Sequence, residues 1–154
     1  MDYGLRRAST DDAQVLTDLA MASKASWGYD DDFMKACRAQ LTITPNVIQT
    51  AEVWVTESAG TINGMIVFRP DPATGVAELA DLFVSPDSQG KGLGSALMAK
   101  LNEVCEEGGI RQIGVDADPL AETIYERFGF KTVGRSPSGS IPNRTLPRME
   151  RRLS

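Results

Sequence analysis

Histidine is absent from the 154 residues, and the only two cysteines, Cys37 and Cys105, lie far apart in the sequence. Histidine-based catalytic triads and the common zinc sites, which need histidine or several cysteines, are therefore excluded. We predict no metal cofactor. Isolated cysteines more often fill small apolar spaces than act as nucleophiles, so we expect both side chains to pack in the core.

Long hydrophobic runs and an excess of positive charge are also missing. No apolar stretch approaches the ~20 residues of a membrane span, and the first seven residues lack the apolar segment of a signal peptide. We therefore expect a cytoplasmic protein without a membrane partner. The chain carries 21 acidic and 16 basic residues, a net charge of −5. Nucleic acid is not the expected partner, because binding its phosphates requires clustered positive charge.

The length of 154 residues predicts one domain over residues 1–154, and 42% of its residues are hydrophobic and can form a core. Helices inserted among paired strands predict an α/β or α+β layered fold around a mixed sheet. The expected strands cover 3–8, 52–57, 62–68, 76–84, 110–115, 130–133 and 146–153. The expected helices cover 9–24, 30–41, 95–107 and 116–128, and Thr44-Pro45-Asn46 is interpreted as a break.

A glycine-rich loop, Gln89-Gly90-Lys91-Gly92-Leu93-Gly94, joins the strand over 76–84 to the helix over 95–107. Glycines allow a ligand to approach the backbone closely, and a helix start offers unpaired N–H groups, so the loop is a candidate anion site. It lacks the Lys-Ser/Thr pair of a Walker A loop, and its alternating glycines do not fit a dinucleotide fingerprint. It matches the Gln/Arg-x-x-Gly-x-Gly/Ala loop of the GNAT superfamily of N-acetyltransferases. A glycine-capped turn without a ligand is the alternative.

Two further segments extend this resemblance over nearly the whole chain. Residues 121–130, Ala-Glu-Thr-Ile-Tyr-Glu-Arg-Phe-Gly-Phe, resemble the Ala-x-x-Phe-Tyr-x-x-x-Gly-Phe segment of GNAT proteins. Residues 24–29, between two predicted helices, resemble more weakly the region that shapes the GNAT acceptor site. The resemblance implies a mostly antiparallel sheet with splayed central strands and about four flanking helices. It also implies acetyl-CoA as co-substrate, a primary amine as acceptor and, as in many GNAT proteins, a homodimer.

The resemblance also implies roles for individual residues. The strand end would bond the pantetheine arm, and the glycine-rich loop would bind the pyrophosphate through its N–H groups. Tyr125 would contact the cofactor and act as general acid toward the departing thiolate; the alternative is a core tyrosine. The implied cofactor-binding residues are Leu82, Phe83, Val84, Gln89, Gly90, Lys91, Gly92, Leu93, Gly94, Ser95 and Tyr125. Leu120 departs from the family pattern, which often has a pantetheine-binding asparagine there, and Asp118 is a candidate substitute.

Two carboxylates are candidates for the general base, Glu78 and Asp81. Strict alternation along the strand predicts that they point to opposite faces, so that only one reaches the cleft, unless a bulge intervenes. The alternative is that Glu78 pairs with a surface cation and Asp81 orients a loop.

Three residues outside these motifs are candidates for the substrate pocket. Trp27 and Tyr29 either form a cleft wall or fill the core between two helices. Arg144, in the loop over 136–144, either binds a substrate carboxylate or phosphate or lies in a solvent loop.

Three functions remain open at this point. The first is acetyl transfer from acetyl-CoA to a small-molecule primary amine. The second is a non-catalytic acyl-CoA sensor or interaction module on the same fold. The third is acetylation of a protein N-terminus or lysine, which ranks lower because two loop aromatics suggest a compact pocket.

Overall fold

Seven strands form one mixed sheet in the computed structural model, which describes residues 3–153. The sheet order is β1-β2-β3-β4-β5-β7-β6, and β4–β5 is its only parallel pair within those residues. This confirms the predicted mixed, mostly antiparallel sheet. The strands are β1 (Gly4–Arg7), β2 (Glu52–Ser58), β3 (Thr61–Asp71), β4 (Val76–Val84), β5 (Gln112–Asp116), β6 (Lys131–Pro137) and β7 (Thr145–Arg152). Met1, Asp2 and Ser154, the ends of the predicted domain, lie outside the described residues.

Within residues 3–153, five α-helices flank the sheet, one more than expected. They are α1 (Ala13–Ala25), α2 (Asp31–Leu41), α3 (Pro45–Thr50), α4 (Leu93–Glu107) and α5 (Glu122–Arg127). The additional helix, α3, begins in the segment that we interpreted as a break. The Thr44 hydroxyl accepts the N–H of Val47 at 3.2 Å, and Pro45 occupies the first turn. Both residues favour a helix start as well as a turn.

Two hydrophobic clusters pack on the two faces of the sheet. One cluster joins α4 and Tyr125 of α5 to β3, β4, β5 and β7. The other joins α1, α2 and Ile48 of α3 to β2 and β3. Cys105 lies in the first cluster and Cys37 in the second, with 0% and 1% of their surfaces exposed. Both cysteines therefore pack as core residues, as expected.

The central strands β4 and β5 diverge partway along their length. They pair only from Val76 with Gln112 to Leu79 with Val115, so the end of β4 has no partner on the β5 side. A β-bulge lies at the same point: β3 pairs Phe68 with Leu79 but Val67 with Asp81. The divergence confirms the expected splay and leaves a gap in the middle of the sheet.

None of the helices within residues 3–153 combines the length and the apolar character needed to cross a bilayer.

Gly64 on β3 sets how closely α4 approaches the sheet. A Cβ at this position would lie 3.1 Å from Leu97 Cδ1 of α4 and would clash with the Thr56 hydroxyl. We expect Gly64→Ala to lower the free energy of unfolding by about 1–3 kcal/mol, because a well-packed core resists an added methyl group. Urea unfolding measures this loss. The control is Gly134→Ala, where an added Cβ meets nothing within 4 Å; equal stability losses for both variants would contradict the prediction.

Candidate functional site

A cavity of about 680 Å³ opens at the gap between β4 and β5. Its walls come from the last residues of β4, the glycine-rich loop, the end of α1, the helix α5 and the loop before β7. Distant parts of the chain therefore meet at one place, and most of the predicted site residues lie there.

The glycine-rich loop provides a row of unpaired donors at one end of the cavity. Gly90 and Gly92 adopt positive φ angles of 75° and 79°. The first backbone hydrogen bond of α4 is donated by the N–H of Ala96 to the Gly92 carbonyl, at 3.1 Å. Within the described chain, the N–H groups of residues 90–95 have no hydrogen-bond acceptor. A Cβ added at Gly90, Gly92 or Gly94 would meet no atom within 4 Å. The loop thus combines free N–H groups, the positive end of a helix dipole and open space, as an anion site requires.

The end of β4 is tied to this loop and to α1. The Val84 carbonyl accepts the Ser23 hydroxyl at 3.1 Å and the Gln89 side-chain amide at 2.9 Å. Gln89 thus holds the loop against the strand. Leu82, Phe83 and Val84 all line the cavity. At these residues the edge of β4 is not paired with β5 and faces the gap between the two strands.

Tyr125 packs in the core cluster and also lines the cavity. Only 7% of the residue is exposed, and its ring packs edge-on against Phe130 with 5.6 Å between centroids. No protein group in residues 3–153 hydrogen-bonds the hydroxyl. Burial, followed by the charges of Asp81 and Asp118, raises the pKa of Tyr125 above its usual value. The hydroxyl therefore remains a proton donor at neutral pH.

Of the two candidate bases, Asp81 is the one that lines the cavity. It makes no hydrogen bond within the described residues. Burial raises its pKa from 3.8 to about 6, although the cations of Lys24 and Arg69 lower it. A carboxylate with a pKa near 6 is largely ionised at pH 7 and can accept a proton.

Glu78 faces the same side of the sheet as Asp81, contrary to strict alternation. The bulge at Ala80 causes this, since Leu79 packs in the α4 cluster whereas Phe83 packs in the α1–α3 cluster. Glu78 does not line the cavity, however. Its carboxylate pairs with Arg148 through two hydrogen bonds of 2.6 and 2.9 Å.

The Glu78–Arg148 pair depends on a glycine of the neighbouring strand. A Cβ at Gly114 would clash with the Arg148 guanidinium and lie 3.2 Å from Glu78 Oε1. Arg148 also contacts Asp116 at 3.3 Å. The pKa of Arg148 is raised chiefly by its hydrogen bond to Glu78. The pair therefore links β4 to β7 across β5.

A polar cluster joins the end of α1 to the loop before β7. The Tyr29 hydroxyl lies 2.8 and 2.9 Å from the two Asp118 oxygens and accepts Arg144 Nη2 at 2.8 Å. Arg144 and Lys24 each lie 3.4 Å from Asp118 Oδ2. Burial and the hydrogen bond to Asp118 raise the pKa of Tyr29 to about 12. The ring of Tyr29 stacks on Phe33 at 4.0 Å between centroids.

The loop over 138–144 lies against α2 on the cavity side. The Ser138 N–H donates to the Arg144 carbonyl at 2.7 Å, and the Ser138 hydroxyl accepts the N–H of Ile141 at 3.1 Å. Gly139 lies so close to the Gln40 side chain that a Cβ there would clash. Pro137 to Ser140 and Arg144 line the cavity, so the loop forms one of its walls.

The structure brings most, but not all, of the predicted site residues to the cavity. Those that line it are Trp27, Asp81, Leu82, Phe83, Val84, Gln89, Gly90, Gly92, Leu93, Gly94, Ser95, Tyr125 and Arg144. Lys91 is exposed and lies outside the lining, as does Glu78. Tyr29 does not line the cavity, but it hydrogen-bonds to Asp118 and Arg144, which do.

Leu120, the departure from the family pattern, is 56% exposed. Asp118 is unsuited to take the place of the missing asparagine, because its oxygens are occupied by Tyr29, Arg144 and the Leu120 N–H.

Lys24 and Asp118 are cavity residues that the sequence did not single out individually for the acceptor pocket, although Lys24 begins the segment over 24–29 that resembles the acceptor region. Lys24 resembles an ordinary cation in the last turn of a helix. Asp118 has the sequence position of an ordinary helix cap. It does cap a short helical turn, since its side chain accepts the N–H of Leu120 at 2.8 Å. No local signal distinguishes either residue, because their contacts depend on residues far away in the chain.

Comparisons with known proteins agree with this geometry. A family model described as an acetyltransferase (GNAT) domain matches residues 21–140. An uncharacterized N-acetyltransferase from Schizosaccharomyces pombe is 33% identical over 94 residues, which are 59% of this chain and only 58% of that protein.

Two solved structures show the same fold at low sequence identity. PaiA N-acetyltransferase from Thermoplasma acidophilum, in complex with coenzyme A, has a TM-score of 0.82 and 19% identity over 99% of this chain and 100% of that one. Ribosomal-protein-S18-alanine N-acetyltransferase from Escherichia coli has a TM-score of 0.72 and 16% identity over 99% and 95%.

Ionised Asp81 destabilises the folded state, because its pKa is raised from 3.8 to about 6. The folded protein binds this proton more tightly than the unfolded chain, so the penalty appears as the pH rises from about 4 to above 6. We expect Asp81→Asn to raise the free energy of unfolding by about 1–3 kcal/mol at pH 7.5 and by much less at pH 4.5. Urea unfolding at both pH values measures this, with Asp87→Asn at an exposed carboxylate as the control. A gain of the same size at both pH values, or a loss at pH 7.5, would contradict it.

Proposed function

Because the chain belongs to the GNAT acetyltransferase family, we propose that it transfers the acetyl group of acetyl-CoA to a primary amine of a small molecule. The observation that carries the proposal is the cavity, where free N–H groups, an unpaired carboxylate and an unpaired phenol meet beside a free strand edge. Each of these groups meets one demand of acetyl transfer.

In this proposal, acetyl-CoA lies along the gap between β4 and β5. Its pyrophosphate accepts hydrogen bonds from the N–H groups of residues 90–95. Its pantetheine arm hydrogen-bonds to the edge of β4 at residues 82–84, as an added strand does. A backbone N–H of the same edge polarises the acetyl carbonyl. The free edge and the free N–H groups support this position, because buried backbone donors need partners.

The chemistry uses Asp81 as the base and Tyr125 as the group that meets the leaving sulfur. The amine nitrogen attacks the acetyl carbon, the C–N bond forms, the C–S bond breaks, and the nitrogen proton passes to Asp81 and then to solvent. Proton transfer from a phenol with a raised pKa to a thiolate of pKa ~8.5 runs uphill. Tyr125 therefore stabilises the developing thiolate chiefly by donating a hydrogen bond, and the released CoA takes its proton from water.

The cavity walls favour a small acceptor. The acceptor end of the cavity is surrounded by Trp27, by Arg144 and by the loop wall at Ser138 to Ser140. Gly139 against Gln40, and the Ser138 hydrogen bonds, hold that loop in place. These contacts support a compact pocket for a small acceptor over an open groove for a protein segment. Acetylation of a protein N-terminus is the second candidate, since the structurally similar E. coli enzyme is named for acetylation of a ribosomal protein.

A non-catalytic acyl-CoA sensor would need the cofactor site but not Asp81. The presence of a destabilising carboxylate at the reaction centre favours catalysis over sensing, because a sensor gains nothing from it.

Activity should depend on Asp81 and not on Glu78. Removal of a general base typically costs 10²–10⁴-fold, so we expect Asp81→Asn to lower kcat/KM by about that factor. The wild-type kcat/KM should rise with pH up to about 6, the pKa of Asp81, because the ionised form is the base, and this limb should be absent from Asp81→Asn. The measurement is thiol release from acetyl-CoA with an amine acceptor between pH 5 and 9.

Glu78→Gln is the matched control for Asp81→Asn. It removes a carboxylate from the same face of β4 but only breaks the Arg148 pair, and we expect less than a tenfold loss. A larger loss in Glu78→Gln than in Asp81→Asn would reverse the assignment of the base.

A negative charge in the glycine-rich loop should weaken acetyl-CoA binding. Gly94 has room for a side chain and an ordinary φ angle, and an aspartate there suits a helix start. We expect Gly94→Asp to raise the Kd for acetyl-CoA at least about tenfold more than the isosteric Gly94→Asn, because only the former repels the phosphates. Calorimetric titration measures both variants, and equal Kd values would argue against a phosphate site in this loop.

A further inference from the structure

Two cations at the acceptor end of the cavity share a single carboxylate. Lys24 Nζ and Arg144 Nη2 each lie 3.4 Å from Asp118 Oδ2. The side chains of Lys24, Arg144 and Asp118 are 14%, 18% and 8% exposed, and all three residues line the cavity. The group therefore carries one net positive charge in a largely water-excluded position.

The hydrogen bonds of Asp118 leave both cations incompletely satisfied. Asp118 also accepts the Tyr29 hydroxyl and the Leu120 N–H. Within residues 3–153, Lys24 Nζ makes no contact that qualifies as a hydrogen bond, and Arg144 donates only through Nη2. The Lys24 ammonium and the remaining N–H groups of Arg144 are thus free donors beside the cavity. Partly buried charge is costly unless it is paired, and one carboxylate cannot neutralise two cations, so these donors favour a second anion.

The two cations are also held in fixed positions. The Arg144 guanidinium carbon lies 4.8 Å from the centre of the Phe33 ring, and Lys24 Nζ lies 5.8 Å from it. Phe33 stacks on Tyr29, and the Arg144 carbonyl accepts the N–H of Ser138. A preorganised pair of cations binds an anion without ordering its own side chains first.

We propose that Lys24 and Arg144 bind a carboxylate of the acceptor, so that the acceptor is a small amino acid. This inference rests on the proposed function. The amine end reaches Asp81 and Tyr125, and the carboxylate end pairs with the two cations, so that each charge of a zwitterion meets the opposite charge. One carboxylate neutralises the single net positive charge, whereas a phosphate dianion exceeds it and a polyamine adds to it. The planar fork of Arg144 suits a carboxylate.

The test compares acceptors that differ only in the carboxylate. For several side chains, the free amino acid, its amide and the amine that lacks the carboxyl group are each incubated with saturating acetyl-CoA, and thiol release is measured. We expect at least one amino acid to exceed both partners in kcat/KM by about 10- to 100-fold, as for a charge-assisted pair. Amides or amines that react as well as the acids in every series would overturn the inference.

Lys24→Gln tests the residue itself. We expect it to lower kcat/KM for the amino acid at least tenfold more than for the amide. Comparing the two acceptors removes any effect of Lys24 on the pKa of Asp81, because that effect is common to both. The control is Lys100→Gln, a lysine that contacts Trp54 and Glu103 outside the cavity and that should not change the ratio. An equal loss for acid and amide in Lys24→Gln would overturn the inference.

The outcomes also separate this inference from the proposed function. Failure to bind acetyl-CoA in calorimetry, together with no thiol release for any amine, would contradict the proposed function. Binding of acetyl-CoA without a preference for acids, or without reaction of any acid in the panel, would contradict only the amino acid inference.

Discussion

The divergence of β4 from β5 is the constraint on which the site depends. The two strands pair over only four residues, and the bulge at Ala80 lies where the pairing stops. The gap leaves the β4 edge at residues 82–84 unpaired. The start of α4 and Tyr125 of α5 both line the cavity that opens there. The bulge also turns Asp81 and Phe83 toward α1, whereas Leu79 points toward α4. A regular strand paired along its whole length would close the cavity and place Asp81 on the other face.

Polar groups of three kinds line this gap. Free N–H groups at residues 90–95 form a neutral but polarised anion site. The unpaired Asp81, the buried Tyr125 and the cluster of Lys24, Arg144 and Asp118 line the same cavity. Glu78, which has the same side-chain chemistry as Asp81, is bound by Arg148 and is kept away from the cavity. The roles of the two carboxylates therefore follow from their partners and not from their residue type.

Local patterns in the sequence predicted all seven strands and the glycine-rich loop, because these depend on alternation, glycine spacing and helix capping. The place of Tyr125 at the site was implied by the resemblance of residues 121–130 to a GNAT segment. The short helix α3 was not predicted, since Thr44-Pro45 is as typical of a turn as of a helix start. The bulge at Ala80 has no signature in the strand residues, so alternation predicted the wrong relation between Glu78 and Asp81. The cluster at the acceptor end was not predictable either, because Tyr29 meets Asp118 across 89 positions of the chain.

The most direct test of this account is a crystal structure of the protein with coenzyme A. The account predicts that the pyrophosphate contacts the N–H groups of residues 90–95, that the pantetheine arm bonds the β4 edge at residues 82–84 and that the sulfur lies within hydrogen-bonding distance of the Tyr125 hydroxyl. It would be contradicted if coenzyme A bound elsewhere, or if β5 closed against the full length of β4 in the complex. Either result would leave the free edge and the free donors without the ligand that explains them.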